Sequence, residues 1–103
     1  GVLRDRRVLA EEGVVVIVAT VDAANHKVIT GPEVITRGWV YAPEADSLLD
    51  EAEAHIEKQL VKALDDGITD IDGLERVVRK AAGKFVSDRT KRRPMIVPVV
   101  MTT

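Results

Sequence analysis

GVVVIVATVD, Gly13 to Asp22, decides how the rest of the chain is read. It is valine-rich, β-branched nearly throughout and too short for a buried helix, so it predicts a strand. Both parities are apolar: Val14, Val16 and Val18 on one side, Val15, Ile17, Ala19 and Val21 on the other. That is the pattern of a strand covered on both faces, which favours a central place in its sheet.

Working outward, DAANHK (Asp22 to Lys27) is turn-rich and suits a hairpin. A second strand is expected from Val28, interrupted by the breaker pair Gly31 and Pro32 and resuming from Val34 to Tyr41. Its parities differ. Val34, Thr36, Gly38 and Val40 are small, as suits residues beneath helices, while Ile35, Arg37, Trp39 and Tyr41 are large and partly polar. Ile35, Trp39 and Tyr41 are therefore the expected interface residues.

Asp46 and Ser47 offer helix caps, and Leu48, Ala52, Ile56, Leu60 and Leu64, with Leu49 and Ala63, form one helical stripe ending near Gly67. Asp72 with Glu75 reads as a capping box for a second helix with Leu74, Val77, Val78, Ala81, Ala82, Phe85 and Val86 on one face. PMIVPVVM closes the chain as a strand. Pro98 cannot donate to a ladder, so this strand belongs at an edge or carries a bulge. The expected fold is α+β and two-layered, a three-stranded sheet with two helices on one face in the order β-β-α-α-β. Two helices cover only one sheet face, so the doubly apolar first strand calls for another domain or another copy of the chain as its second cover.

The 103 residues suit a single domain, 1–103. The chain has no cysteine, which excludes disulfides, thiolate metal sites and a cysteine nucleophile and fits a reducing, cytoplasmic compartment. The longest apolar run falls far short of the roughly 20 residues of a membrane helix. A start at Gly1 with no methionine and no signal segment suggests a fragment of something longer. The formal charge of −2 hides an asymmetry: eleven acids against two lysines from Glu44 to Glu75, then eight bases against one acid from Arg76 to Arg93. Only Trp39, Tyr41 and Phe85 are aromatic, a poor supply for a base-stacking platform.

Candidate chemistry is sparse. His26 falls in a turn. His55 lies one helical turn from Glu51, a spacing that suits a metal but lacks a third ligand. Ser47 and Ser87 fall at helix ends, where capping explains them. GPEVITRG does not lead into a helix, so it is no phosphate loop. Arg89, Lys91, Arg92 and Arg93 are candidate RNA contacts through phosphates. The competing explanation is that they complement the helix dipole and guard an aggregation-prone strand.

VLRDRR at Val2 to Arg7, the apolar strand ending in Val21-Asp22, GPEVITRGWVY at Gly31 to Tyr41 and KFVSDRTKRRPMIVPVV at Lys84 to Val100 together resemble the C-terminal domain of bacterial ribonuclease J. GPEVITRG and TKRRPMI are the most specific pieces, and the acidic middle, Glu44 to Asp72, matches only in pattern. The resemblance implies a piece of a metallo-β-lactamase/β-CASP nuclease, a hydrolase that processes and degrades RNA as a 5′ exonuclease and an endonuclease. Its two metal ions, usually assigned as zinc, sit in an HxHxDH-type cluster of the N-terminal catalytic part, and no such motif occurs here. The resemblance thus supplies no catalytic or metal-binding residue. It implies a role in dimer formation and full activity, with the nuclease core of the parent chain and a second copy as partners. The expected function is a non-catalytic interaction domain, with RNA contact secondary. The alternatives are an autonomous RNA-binding module using Arg76, Arg79, Lys80 and the Arg89 to Arg93 cluster, and a small enzyme built on Glu51 and His55.

Overall fold

The computed structural model describes residues 13–38 and 42–103. The Val2 to Arg7 stretch, Trp39, Val40 and Tyr41 lie outside the described residues. The elements are β1 (Val14–Asp22), β2 (Lys27–Arg37), α1 (Ala42–Asp65), α2 (Ile71–Thr90) and β3 (Met95–Thr102). The sheet order is β2-β1-β3, with β1 antiparallel to β2 and parallel to β3. The β-β-α-α-β order and the central first strand are as the sequence predicts.

Register explains which side chains are buried. Val15 opposes Thr36 and Ile96, Ile17 opposes Val34 and Pro98, and Ala19 opposes Val100. Directly opposed residues share a face, so the odd residues of β1 lie with Val34 and Val100 beneath the helices. There they join Ala52, Ile56, Leu60, Ala63 and Leu64 of α1 and Leu74, Val78, Ala81, Ala82 and Val86 of α2 in one core. Each fully buried aliphatic side chain contributes about 1.5–3 kcal/mol relative to exposure. Val34 and Thr36, the members of the small parity within β2, face the helices, as expected.

Four local readings are corrected. Gly31 and Pro32 do not interrupt β2; the strand absorbs them in a bulge, for between Val18↔Glu33 and Thr20↔Thr30 it uses one more residue than β1 does. Gly31 is suited to this by its φ of +82 and by the absence of a Cβ, which would stand 2.5 Å from the Val18 carbonyl oxygen. β2 ends at Arg37, before Tyr41. Helix α1 starts at Ala42, so Asp46 and Ser47 lie within it and do not cap it. The N-cap of α2 is Asp70, not Asp72: its carboxylate accepts the Gly73 N–H at 2.9 Å. Between the helices, Gly67 (φ +95) ends α1 in a Schellman arrangement, the Gly67 N–H donating to the Leu64 carbonyl and the Ile68 N–H to that of Ala63.

Both edges of the sheet are closed by the same pair of devices. On β2, Pro32 has no N–H to offer, and the Val34 N–H donates to the Glu53 carboxylate of α1 at 3.0 Å. On β3, Pro98 likewise lacks a donor, and the Val100 N–H donates to the Glu75 carboxylate of α2 at 3.3 Å. Glu75 therefore serves a strand edge and not a capping box. Unpaired edge donors are templates for adding a foreign strand, and these four residues remove them from the middle of each edge.

Two glycine substitutions separate the constraints. Gly31→Ala should destabilise the fold by about 1–3 kcal/mol from backbone strain alone, with the clash adding to it. Gly83→Ala, in the interior of α2 with nothing within 4 Å of the new Cβ, should stabilise it by about 0.4–1 kcal/mol. Urea denaturation of both variants checks the opposite signs.

Candidate functional site

Two surfaces carry features that the core does not explain. The first is the sheet face turned away from the helices. Val14, Val16 and Val18 of β1 lie there, flanked by Ile35 of β2 and by Met95, Val97, Val99 and Met101 of β3 through the pairs Val16↔Ile35, Val14↔Met95, Val16↔Val97, Val18↔Val99 and Thr20↔Met101. Among the described residues no element packs on this face. Met95 is 49% exposed, Val99 38% and Met101 47%, while the valines of β1 are half-buried by their strand neighbours. Glu33 and Arg37, exposed on the same face of β2 through the pairs Val18↔Glu33 and Val14↔Arg37, border it with opposite charges. The alternation of β1 is thus fully covered on one side only. Ile35 belongs to this face, as expected of it, whereas Trp39 and Tyr41 lie outside the described residues.

The second surface is the outer side of the helix pair. The Arg89 guanidinium donates to both carboxylate oxygens of Glu51, at 2.9 and 3.2 Å. It also lies over the Phe85 ring at 5.3 Å. The hydrogen bond from Arg89 holds the Glu51 carboxyl below its ordinary range, and Glu51 in turn raises the guanidinium above its own. His55 stacks on the same Phe85 ring, with centroids 5.8 Å apart. Glu51 and His55 therefore have separate partners and do not form a ligand pair. Among the described residues no group of three or more histidines and carboxylates is placed to hold a metal ion.

The remaining basic residues follow the end of α2. Lys91 is its C-cap, left-handed at φ 60, and donates its backbone N–H to the Ser87 carbonyl. The Thr90 hydroxyl donates to the Val86 carbonyl at 2.7 Å and accepts the Arg92 backbone N–H at 3.1 Å. The run thus begins by terminating a helix, and Met95 starts the next strand by donating its N–H to the Gly13 carbonyl. Of Arg89, Lys91, Arg92 and Arg93, Arg89 is turned onto α1 and Lys91 follows it as the helix C-cap. His26 sits in the hairpin turn at φ 55, with Nδ1 3.1 Å from the Asp65 carboxylate, and ties that turn to the end of α1.

Compared with known proteins, residues 1–103 match the model of the family described as the ribonuclease J C-terminal domain. The chain belongs to that family. It is 36% identical over 100 residues to Ribonuclease J2 of Bacillus subtilis, covering 97% of this chain and 18% of the relative. It is 39% identical over 99 residues to Ribonuclease J 2 of Staphylococcus epidermidis and 38% identical over 99 residues to that of Staphylococcus aureus, each covering 96% of this chain and 18% of the relative. The chain thus spans under a fifth of the length of these relatives. No described helix of this ribonuclease J domain is long and apolar enough to cross a membrane.

Sequence reasoning missed two things in this domain. The Glu51–Arg89 pair joins positions 38 residues apart, and no local pattern announces it. The edge caps Glu53 and Glu75 read in sequence as ordinary acids of amphipathic helices, and only the structure shows them half-buried against the strand edges.

The Glu51 pairing gives a pH dependence of known sign. A carboxyl lowered in the folded state contributes stability that is present above its unfolded pKa and lost as pH falls through the folded one. Glu51→Gln should therefore lower the melting temperature slightly at neutral pH. The difference from wild type should vanish in acid, below the ordinary glutamate range, when melting is followed by circular dichroism across pH.

Proposed function

We propose that this chain is the non-catalytic interaction domain of a ribonuclease J, joining the nuclease core of its parent chain and supporting dimerisation and full activity of a metal-dependent 5′ exo- and endoribonuclease in RNA processing and decay. The observation that carries this reading is the open apolar sheet face between two closed edges. A contiguous apolar face is characteristic of an interaction surface. With Pro32, Pro98 and the two glutamate caps discouraging strand addition, a partner gains most by packing on the face itself. Met95, Val97, Val99, Met101 and Ile35 then supply the apolar centre, and Glu33 and Arg37 supply a rim of opposite charges that a second copy of the face complements.

The chemistry belongs elsewhere in such an enzyme. Metal-assisted hydrolysis of RNA needs clustered ligands and an activated water. The described residues here offer neither, so the zinc of the parent enzyme is assigned to its catalytic part and no step is routed through this domain. A cytoplasmic setting accords with RNA decay. The cations Lys91, Arg92 and Arg93 are left a secondary role near RNA in the assembled enzyme.

Replacing an apolar residue on the face tests the assignment. Val99→Lys should leave the melting temperature nearly unchanged, because this side chain is exposed. It should weaken self-association of the chain, or its docking onto the nuclease core in the full-length enzyme, by about tenfold or more in sedimentation equilibrium. Trp39→Ala should act in the same direction. A collapse in stability of about 3–5 kcal/mol, with association unchanged, would instead make Trp39 a core residue. Association insensitive to both substitutions would overturn the interface.

Absence of catalysis is tested separately. The purified chain should not cleave RNA with zinc, manganese or magnesium added. Metal-dependent cleavage that disappears in His55→Ala would overturn the non-catalytic reading.

A further inference from the structure

A groove of about 310 Å³ runs between α1 and α2 on the outer side of the helix pair, lined by His55 and Gln59 of α1 and by Val77, Lys80, Ala81 and Lys84 of α2. Its composition sets it apart from the acidic helix beside it. Lys80 and Lys84 are both exposed and stand one helical turn apart, a like-charge spacing that costs an isolated helix a few tenths of a kcal/mol. Among the described residues neither lysine has a carboxylate within ion-pairing distance. Glu51, one turn from His55, is already bound at both oxygens by Arg89. Two cations thus line one concavity, and among the described residues neither is ion-paired.

The other walls combine polar and apolar side chains. The His55 ring is held against Phe85, and none of the hydrogen bonds among the described residues engages its nitrogens. Gln59 brings an amide that can donate, and Val77 and Ala81 give a short apolar floor. Lysines act as mobile point charges towards phosphate, and neighbouring amide and imidazole groups add directional donors.

We propose that this groove is an oxyanion site for phosphate groups, with Lys80 and Lys84 supplying charge and Gln59 and His55 supplying hydrogen bonds. It is separate from the open sheet face, so it can be occupied while that face meets a partner. The phosphate is either one link of an RNA backbone or a free phosphate, and the two sources are separable by experiment.

The test is a nuclear magnetic resonance titration of the 103-residue chain with inorganic phosphate and, separately, with a short oligouridylate, each followed for wild type and for the double variant Lys80→Gln/Lys84→Gln. Wild-type amide shifts should cluster on His55, Gln59, Lys80, Ala81 and Lys84, and the double variant should bind at least about tenfold more weakly. With oligouridylate, the dependence of log affinity on log salt should become shallower by about 1.4 for two lost single-strand phosphate contacts. Binding of both ligands, lost in the variant, assigns the site to RNA backbone; binding of inorganic phosphate alone assigns it to a free phosphate. Shifts that cluster elsewhere, no binding of either ligand, or binding unchanged in the double variant would overturn the proposal. Should the double variant fail to fold, the wild-type shift map alone decides. Unchanged self-association in the double variant keeps this result distinct from the fate of the sheet-face reading.

Discussion

The packing of Val15, Ile17, Ala19 and Val21 under both helices is the contact on which everything else in this domain depends. Those four residues are all but sealed from solvent, and they meet side chains from α1, α2, β2 and β3 in a single core. With β1 central and antiparallel to β2, the chain reaches the other side of β1 through its two helices and returns as the parallel strand β3. β2 and β3 are not neighbours but flank β1, so the connection between them has to pass β1, and here that connection is also the cover of the core. The same 49 residues, 42–90, that close the topology therefore spend their apolar stripes on one sheet face and leave the other without one.

That economy decides which apolar surface stays open. A three-stranded sheet has two edges and two faces; the helices take one face, and their glutamates reach around to both edges. Glu53 and Glu75 lie on different helices, yet each accepts the N–H of a valine two residues beyond a proline. An edge with neither donor nor regular pleat at its centre is a poor template for another strand. The apolar side chains of Val16, Val97, Val99 and their neighbours remain as the surface with most to gain from burial.

The charge asymmetry of the sequence also takes a different meaning in three dimensions. Basic α2 lies beside acidic α1, and part of its charge is used internally, for Arg89 binds Glu51 and covers Phe85; Lys91 ends the helix through its backbone N–H. Exposed pairs such as Glu51–Arg89 stabilise little by themselves, but they determine which cations remain available. Lys80 and Lys84, in the middle of α2, are left facing a groove, whereas the more conspicuous run after Ser87 begins as a helix terminus.

What the sequence determined by itself was the alternation of elements and the faces they bury. An apolar strand, small residues on one parity of the next, two helical stripes and a proline in the last strand specify the β-β-α-α-β layer, because side-chain periodicity and the missing proline donor are local properties. The stretches GPEVITRG and TKRRPMI carried the family. Only the tertiary structure decided the rest. Gly31 and Pro32 read as a break, but pairing with β1 holds the strand together around a bulge. Asp72 and Glu75 read as a capping box, but Asp70 is better placed for the Gly73 N–H and Glu75 is drawn to the edge of β3. The Glu51–Arg89 contact, the groove beside it and the closure of both edges join residues distant in sequence, and their energies come from partners that no local window contains.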